Sequence, residues 1–137
     1  MARHLFTARA GGFSVGQYSS LNIGNHVGDE EALVLQNRKI LNSLTSLERL
    51  QFMDQVHGNK VFRVTSDTDQ VPEADALVTT EKSIGLVVMV ADCLPILLDG
   101  GDVIGAVHVG RRGALNGVIG KTVGLMVAQG GRNIRAI

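Results

Sequence analysis

The chain has 137 residues, 45% of them hydrophobic, and its 13 basic and 13 acidic side chains cancel. This size and composition suit one modest globular core and exclude a disordered, collagen-like or disulfide-built chain. The balanced charge argues against nucleic acid or an anionic membrane as a partner, and the longest apolar run, Ile84 to Ala91, is too short to cross a bilayer. A single cysteine and a start without an apolar signal core predict a protein of the reducing cytoplasm.

The N-terminal part predicts one helix preceded by an ordered loop. Residues 6–16 combine a short extended piece with glycines, and we expect them to enter a sheet and then turn sharply. Asp29 is placed to cap a helix that runs to about Leu44, with acidic residues in its first turn. Asn37 falls within the apolar face of that helix, and a buried amide there is expected to tie down a neighbouring loop. The apolar positions of that face are Leu33, Ile40, Leu41 and Leu44.

Short runs rich in β-branched residues predict strands in the middle of the chain. They are Val61–Val64, Ala76–Thr79, Leu86–Val90 and Val103–Val107, with a hairpin turn at residues 99–102. The last two strands are apolar on both faces, so we expect a sheet covered on both sides. The predicted class is α+β, with layered mixed β-sheets flanked by helices.

A helical period returns after Gly113. Its predicted inner face is Leu115, Val118, Ile119, Thr122 and Met126. A parallel stripe of glycines predicts that this helix lies very close to a sheet, since each interior glycine costs about 1 kcal/mol against alanine. That stripe is Gly113, Gly117, Gly120 and Gly124. Gly130 and Gly131 are expected to end the helix, and residues 132–137 to begin another strand.

Three side chains that can bind a metal stand near predicted strand ends. Cys93 follows one apolar run, His108 ends another, and His57 precedes a third. Together they could converge on one zinc ion and leave the fourth tetrahedral position for water or substrate. Copper also binds two histidines and a thiolate. A blue-copper site usually adds a weak axial methionine, and no methionine at ligand spacing follows Cys93. The spacing also allows a purely structural role for all three residues.

A second interpretation takes Cys93 as a nucleophile, with His57 or His108 as its base and Asp92 orienting that base. Asp92 is adjacent to Cys93, so within a strand it would point to the opposite face. It would then be a poor partner unless the strand has already ended. Asp92 could equally be a loop carboxylate bonded to nearby backbone amides.

Several basic side chains could bind an anion. His26 precedes a helix N-terminus, where backbone N–H groups attract anions, and Arg38 lies on that helix. Arg111 and Arg112 follow His108 and could hold an oxyanion near a metal. The alternative for all four is a solvated side chain.

Seven ordered motifs cover almost the whole chain. They are Phe6-Thr7-x-Arg9-x-Gly11-Gly12-x-Ser14, Ser20-Leu21-Asn22-x-Gly24-x-His26-Val27-Gly28-Asp29, Asn37-Arg38, Gln55-Val56-His57-Gly58, Ala74-Asp75-Ala76-Leu77-Val78-Thr79, Ala91-Asp92-Cys93-Leu94-Pro95 and Ala106-Val107-His108-x-Gly110-x-Arg112-Gly113. In these motifs the chain resembles the YfiH/laccase-domain family. The resemblance implies a mixed α/β sandwich whose metal ligands are His57, Cys93 and His108.

The same resemblance implies a function. Members of that family are purine nucleoside phosphorylases acting on adenosine, inosine and S-methyl-5′-thioadenosine, and they also deaminate adenosine. It therefore implies a zinc-dependent enzyme with purine nucleosides and phosphate as its small-molecule partners, the phosphate held by Arg38, His26 and Arg112. The alternatives are a copper-dependent polyphenol oxidase, which the older family name records, and an inactive metal-binding fragment.

The chain departs from the family pattern in two respects. Val109 and Arg111 stand where alanine and tryptophan are usual, so charge replaces an aromatic wall near the metal and substrate preference is expected to change. Family members also continue well past position 137. Residues 1–137 are therefore expected to be the N-terminal part of a single YfiH/laccase-type domain, incomplete at its C-terminus and poorly stable by itself.

Overall fold

A computed structural model describes residues 2–137, which divide into two compact units. The smaller unit is His4–Glu48, and the larger contains Arg49–Ile137. Among the described residues, no helix combines the length and the apolar character that crossing a membrane requires.

The smaller unit is a folded loop packed on one helix. The helix, α1, spans Glu31–Ser43, and a single 3-10 turn spans Gly16–Tyr18. The expectation that residues 6–16 enter a sheet is wrong, because no residue from 4 to 48 lies in a strand. Instead the loop bonds to itself: the N–H groups of Ser20 and Leu21 donate to the carbonyl of Arg9 at 3.0 and 2.7 Å.

Asn37 ties this loop to α1, as predicted. Its side chain is fully buried, and its Oδ1 accepts the Phe13 N–H at 2.8 Å. Its Nδ2 donates to Ser14 Oγ and to the carbonyls of Ser20 and Asn22. A buried amide whose oxygen and nitrogen both bind the loop holds that loop in one conformation.

Both ends of α1 differ from expectation. The N-cap is Glu30, not Asp29, and no side chain caps the helix. Oδ2 of Asp29 binds the loop, accepting from Ser14 Oγ at 2.6 Å and Asn22 Nδ2 at 2.9 Å, while Oδ1 accepts the Glu30 N–H at 2.8 Å. The helix ends at Ser43, which leaves Leu44 54% exposed, outside the predicted buried face.

The larger unit contains two sheets. Its strands are β1 (Arg49–Gln51), β2 (Val61–Val64), β3 (Ala76–Thr79), β4 (Ile84–Leu86), β5 (Leu94–Asp99), β6 (Ile104–Val109) and β7 (Arg135–Ala136). β1 and β4 form a parallel pair, and the other strands form a mixed sheet of order β2-β3-β6-β5-β7. In that sheet β2 and β3 are parallel, whereas the other neighbours are antiparallel.

The strand predictions held at β2, β3 and the β5–β6 hairpin, but not at Leu86–Val90. There the strand stops at Leu86, and the chain continues without strand pairing. The side-chain amide of Gln55 occupies both backbone groups of Met89: its Nε2 donates to the carbonyl at 2.7 Å, and its Oε1 accepts the N–H at 2.8 Å. These bonds use the backbone groups that a neighbouring strand would need.

The mixed sheet is covered on both faces, as its apolar strands predict. Two helices follow β6: α2 (Arg111–Leu115) and α3 (Val118–Ala128). On one face Ala76 and Val78 of β3 share a buried cluster with Val118 and Met126 of α3. On the other face, Leu77 of β3 packs with Met53, Val64 and Ile84.

The glycine-rich helix differs from its prediction. Gly117 has a φ of 74° and breaks the expected single helix into α2 and α3, leaving Leu115 exposed. A Cβ on Gly120 or Gly124 would meet nothing within 4 Å, so these glycines do not bring α3 to the sheet. The close approach is made by Gly105 of β6, where a Cβ would lie 3.0 Å from Met126 Sδ.

Candidate metal centre

Strand directions bring the three predicted metal ligands to one edge of the mixed sheet. The starts of β2, β3 and β5 meet the end of β6 at that edge. His57 lies in the turn before β2, Cys93 directly precedes β5, and His108 is the last but one residue of β6. Their ligand atoms all lie within 4.8 Å of one another. Cys93 was expected to follow a strand and instead directly precedes one, but the predicted convergence is present.

The three side chains differ in exposure. His108 is buried, Cys93 is partly buried and His57 is exposed. The two imidazole rings meet edge to face, with centroids 4.7 Å apart and an interplanar angle of 82°. A small molecule can therefore approach the cluster from the His57 side, while the His108 side is held inside the protein.

Asp75 joins the two histidines and was given no role from the sequence. It is fully buried at the residue before β3. Its Oδ1 accepts from His108 Nδ1 at 2.8 Å and from the His57 N–H at 2.9 Å, while Oδ2 accepts the Gly58 N–H at 2.7 Å. The sequence does contain a signal, because Asp75 directly precedes the apolar run Ala76 to Val78, and a carboxylate that is buried there must find partners.

His57 adopts a backbone conformation that side chains rarely take. Its φ is 58°, in the left-handed region, which costs a residue with a Cβ roughly 1–2 kcal/mol. This conformation points the successive N–H groups of His57 and Gly58 in one direction. Both N–H groups donate to the carboxylate of Asp75. These bonds offset the strain and hold the imidazole beside His108.

The environment of Cys93 disfavours a free thiolate. Burial raises the pKa of the Cys93 thiol, and the charge of Asp92, a hydrogen bond to Asp92 and the charge of Asp75 raise it further. An activated nucleophilic cysteine has a lowered pKa, so this environment argues against the nucleophile interpretation. No strand runs through residues 90–93, so Asp92 is not forced to the face opposite Cys93. Its carboxylate forms a hydrogen bond with the Cys93 thiol.

The cluster fits a divalent cation. Zinc binds imidazole nitrogen at about 2.0–2.1 Å and thiolate at about 2.3 Å, so its ligand atoms are roughly 3.5 Å apart. Small movements of donors that already lie within 4.8 Å would reach that spacing. The negative charges that oppose ionisation of Cys93 also favour a cation. Two imidazoles and a thiol suit zinc or copper and leave one coordination position open.

Two glycines shape the wall of the cluster. A Cβ on Gly110 would lie 3.0 Å from His57 Cδ2 and 3.6 Å from Cys93 Sγ. A Cβ on Gly113 would lie 2.7 Å from the carbonyl oxygen of Gly58. The turn that carries His57 is thus packed directly against the start of α2, and only glycine leaves the necessary space.

The predicted anion-binding residues lie in different places. Arg112 is an exposed residue of α2, close in sequence to His108. Arg38 and His26 belong to the smaller unit. There Arg38 Nε donates to the carbonyl of Ile23 at 2.8 Å and Nη2 to Asn25 Oδ1 at 3.3 Å, while His26 is exposed. Burial lowers the pKa of Arg38.

Comparison with known proteins identifies a family, relatives and solved structures that this chain resembles. Residues 3–137 match the family described as multi-copper polyphenol oxidoreductase laccase. A purine nucleoside phosphorylase of Corynebacterium glutamicum is 43% identical over 140 residues, which are 97% of this chain and 57% of that protein. A solved structure from Neisseria meningitidis superposes with a TM-score of 0.82 at 38% identity, covering 86% of this chain and 49% of the other. The Bacillus licheniformis protein YfiH gives a TM-score of 0.83 at 28% identity, covering 93% of this chain and 54% of the other.

The chain thus spans about half the length of the proteins it matches. The structural matches confirm the predicted layered α+β fold of the YfiH type. The family match extends over nearly every residue and includes all three members of the His57–Cys93–His108 cluster. The chain therefore belongs to the YfiH family of laccase-domain proteins, the multi-copper polyphenol oxidoreductase laccase family.

Proposed function

We propose that a protein of the relatives' length containing these residues is a zinc-dependent purine nucleoside phosphorylase that also deaminates adenosine. The observation that carries the proposal is the His57–Cys93–His108 cluster, present in a chain 43% identical to a purine nucleoside phosphorylase. The family match spans both compact units without interruption, which supports our proposal that residues 1–137 belong to a single domain. Because the cluster needs a reduced thiol, we place the protein in the cytoplasm.

His57, Cys93 and His108 would hold the zinc ion. When bound, zinc supplies Lewis acidity and lowers the pKa of a coordinated water to about 7. The chain's own contribution is to present the donors: Asp75 fixes His108 through Nδ1, and Gly110 leaves room for His57 beside Cys93. The exposed side of the cluster at His57 would admit the nucleoside.

The two activities differ in the group that attacks the substrate. In phosphorolysis a phosphate oxygen bonds to the anomeric carbon of the ribose while the glycosidic bond to nitrogen breaks, giving ribose 1-phosphate and a free purine base. In deamination water bonds to the purine carbon bearing the amino group, and ammonia leaves. Adenosine would therefore give adenine by the first reaction and inosine by the second, with S-methyl-5′-thioadenosine and inosine as further phosphorolysis substrates.

We assign phosphate binding to Arg38, His26 and Arg112. The guanidinium of Arg38, on α1, donates to loop atoms of Ile23 and Asn25, which holds this cation against the loop that carries His26. Arg112 supplies a second guanidinium after the His108 strand. Guanidinium groups suit phosphate oxygens because they offer several N–H donors in a planar arrangement.

Product analysis tests the enzyme assignment. Purified protein of the relatives' length is incubated with adenosine, with and without phosphate, and adenine and inosine are separated by chromatography. We expect adenine only with phosphate, inosine without phosphate, and inosine together with its phosphorolysis product hypoxanthine when phosphate is present. The absence of both products from zinc-loaded protein would refute the assignment.

Metal analysis tests the ligands and the copper alternative. We expect stoichiometric zinc in protein purified without added metal, and its loss from His57→Ala, Cys93→Ala and His108→Ala. A variant that keeps its zinc would remove that residue from the ligand set. Stoichiometric copper with oxidation of a phenol would instead favour the polyphenol oxidase that the family description names.

A further inference from the structure

One buried carboxylate contacts two of the three proposed metal ligands. Asp75 has no exposed surface, and its side chain accepts three hydrogen bonds, one from the His108 ring and two from the backbone of His57 and Gly58. Its main chain contributes a further contact, because the His108 N–H donates to the Asp75 carbonyl at 2.8 Å. Asp75 is therefore bonded to ring and backbone of one histidine and to the backbone of the other.

The bond to the His108 ring determines which nitrogen faces the cluster. A carboxylate is an acceptor only, so the ring must donate its Nδ1–H across the 2.8 Å separation. The lone pair of the neutral ring is then on Nε2, the nitrogen that can bind a metal. Without this acceptor the ring could adopt the other tautomer or rotate.

The bonds to the turn determine where His57 lies. The His57 and Gly58 N–H groups point to the two oxygens of Asp75 only while His57 keeps its positive φ of 58°. Space around the turn is restricted as well, since a Cβ on Gly58 would lie 3.3 Å from Asp75 Oδ2. The same carboxylate thus fixes both the exposed and the buried histidine.

We propose that Asp75 is the positioning residue of the centre, a single buried anion that aligns His57 and His108 for a shared divalent cation. This inference rests on the metal centre proposed above. Asp75 does not itself bind the metal in this proposal. It acts through the two histidines, in the way that outer carboxylates orient histidine ligands in metal sites generally.

Replacement by asparagine separates this role from simple packing. Asn has nearly the same volume, but one of its two polar atoms donates hydrogen bonds instead of accepting them. An asparagine at position 75 has two orientations. In the first its NH₂ group faces the Gly58 N–H, and in the second it faces both the His57 N–H and His108 Nδ1. At least one bond is lost, and in the second orientation the wrong His108 tautomer is favoured.

The experiment compares Asp75→Asn with Asp99→Asn. Asp99 is a matched control because it is also buried, accepts two backbone N–H groups, from Ala2 and Gly101, and lies at the opposite end of β5 from Cys93. Zinc affinity is measured at constant pH by competition with a chromophoric chelator, per mole of protein shown to be folded by circular dichroism. We expect Asp75→Asn to weaken zinc binding about 10- to 100-fold and Asp99→Asn to leave it within about twofold.

A second readout does not depend on how a variant folds. In zinc-free wild-type protein, ¹⁵N-histidine NMR at a pH where the imidazole is neutral should show the His108 proton on Nδ1. The opposite tautomer, or unchanged zinc affinity in folded Asp75→Asn, would refute the positioning role of Asp75. Neither result would refute the proposed metal centre. A wild-type protein that binds neither zinc nor copper would overturn the metal centre and this inference together.

Discussion

Gly110 shows how closely single residues define the cluster. The backbone of Gly110 has an ordinary φ of −76°, so its conformation does not require glycine. The requirement comes from space, because a side chain would point at His57 and Cys93. Asp29 shows the same dependence on local contacts in the smaller unit, where the loop binds one carboxylate oxygen and the N–H of Glu30, the N-cap of α1, binds the other.

Gly110→Ala should weaken zinc binding by about tenfold or more, because the added methyl group would displace His57 and press on Cys93. The measurement is the chelator competition described above. Gly120→Ala is the control, since a Cβ there meets nothing within 4 Å. Equal zinc affinity in both variants would show that His57 yields without leaving the cluster.

Asp29 should make stability depend on pH in the acid range. Hydrogen bonds from Ser14 and Asn22 lower the pKa of Asp29 in the folded protein. A lowered folded pKa gives stability that is present above the unfolded pKa of about 3.9 and is lost as pH falls through the folded value. The stability difference between wild type and Asp29→Asn should therefore be constant from about pH 5 to 7 and shrink below about pH 4. Chemical denaturation across this range would measure it, and a difference that grows on acidification would contradict the assignment.

At the scale of elements, the contact between α3 and the sheet depends on a glycine in the strand. Gly105 of β6 lies against Met126 and Thr122 of α3, both of which are fully buried. The glycines of α3 itself face away from any neighbour among the described residues. A glycine stripe on a helix is therefore no evidence, by itself, of which face packs.

Gly105→Ala and Gly120→Ala should change stability in opposite directions. Alanine at 105 would overpack against Met126 Sδ at 3.0 Å and should cost about 1–3 kcal/mol of unfolding free energy. Alanine at 120 removes the helix cost of an unpacked glycine and should add about 0.5–1 kcal/mol. Urea denaturation gives both values. Destabilisation by Gly120→Ala would mean that this face of α3 has a close neighbour.

At the scale of the whole molecule, the His57–Cys93–His108 cluster joins distant parts of the larger unit. His57, Cys93 and His108 come from the turn before β2, the start of β5 and the end of β6. A cation shared by them would cross-link three segments that the unfolded chain keeps apart. Metal binding and folding of this unit should therefore be coupled.

Zinc should stabilise the protein and a chelator should reverse the effect. At free zinc about 100 times its Kd, the unfolding free energy should rise by about 2.7 kcal/mol. Differential scanning calorimetry with and without zinc measures the shift, and Cys93→Ser, which keeps the side-chain size, should reduce it strongly. An equal shift in wild type and Cys93→Ser would indicate that zinc binds elsewhere.

The sequence alone determined the features that depend on local pattern. It predicted α1 with its buried Asn37, strands β2 and β3, the β5–β6 hairpin and, through the family motifs, the three residues of the cluster. Periodicity and turn chemistry act over a few residues, so they can be recognised without knowing what packs nearby.

Only the tertiary structure decided the rest. The Gln55 amide bound both backbone groups of Met89 in the expected strand, Gly105 and not the α3 glycines set the helix–sheet contact, and Asp75 joined His57 to His108. Each of these outcomes is a contact between segments at least 17 residues apart in sequence. Whether such a contact forms is determined by strand order and direction, which no local pattern contains.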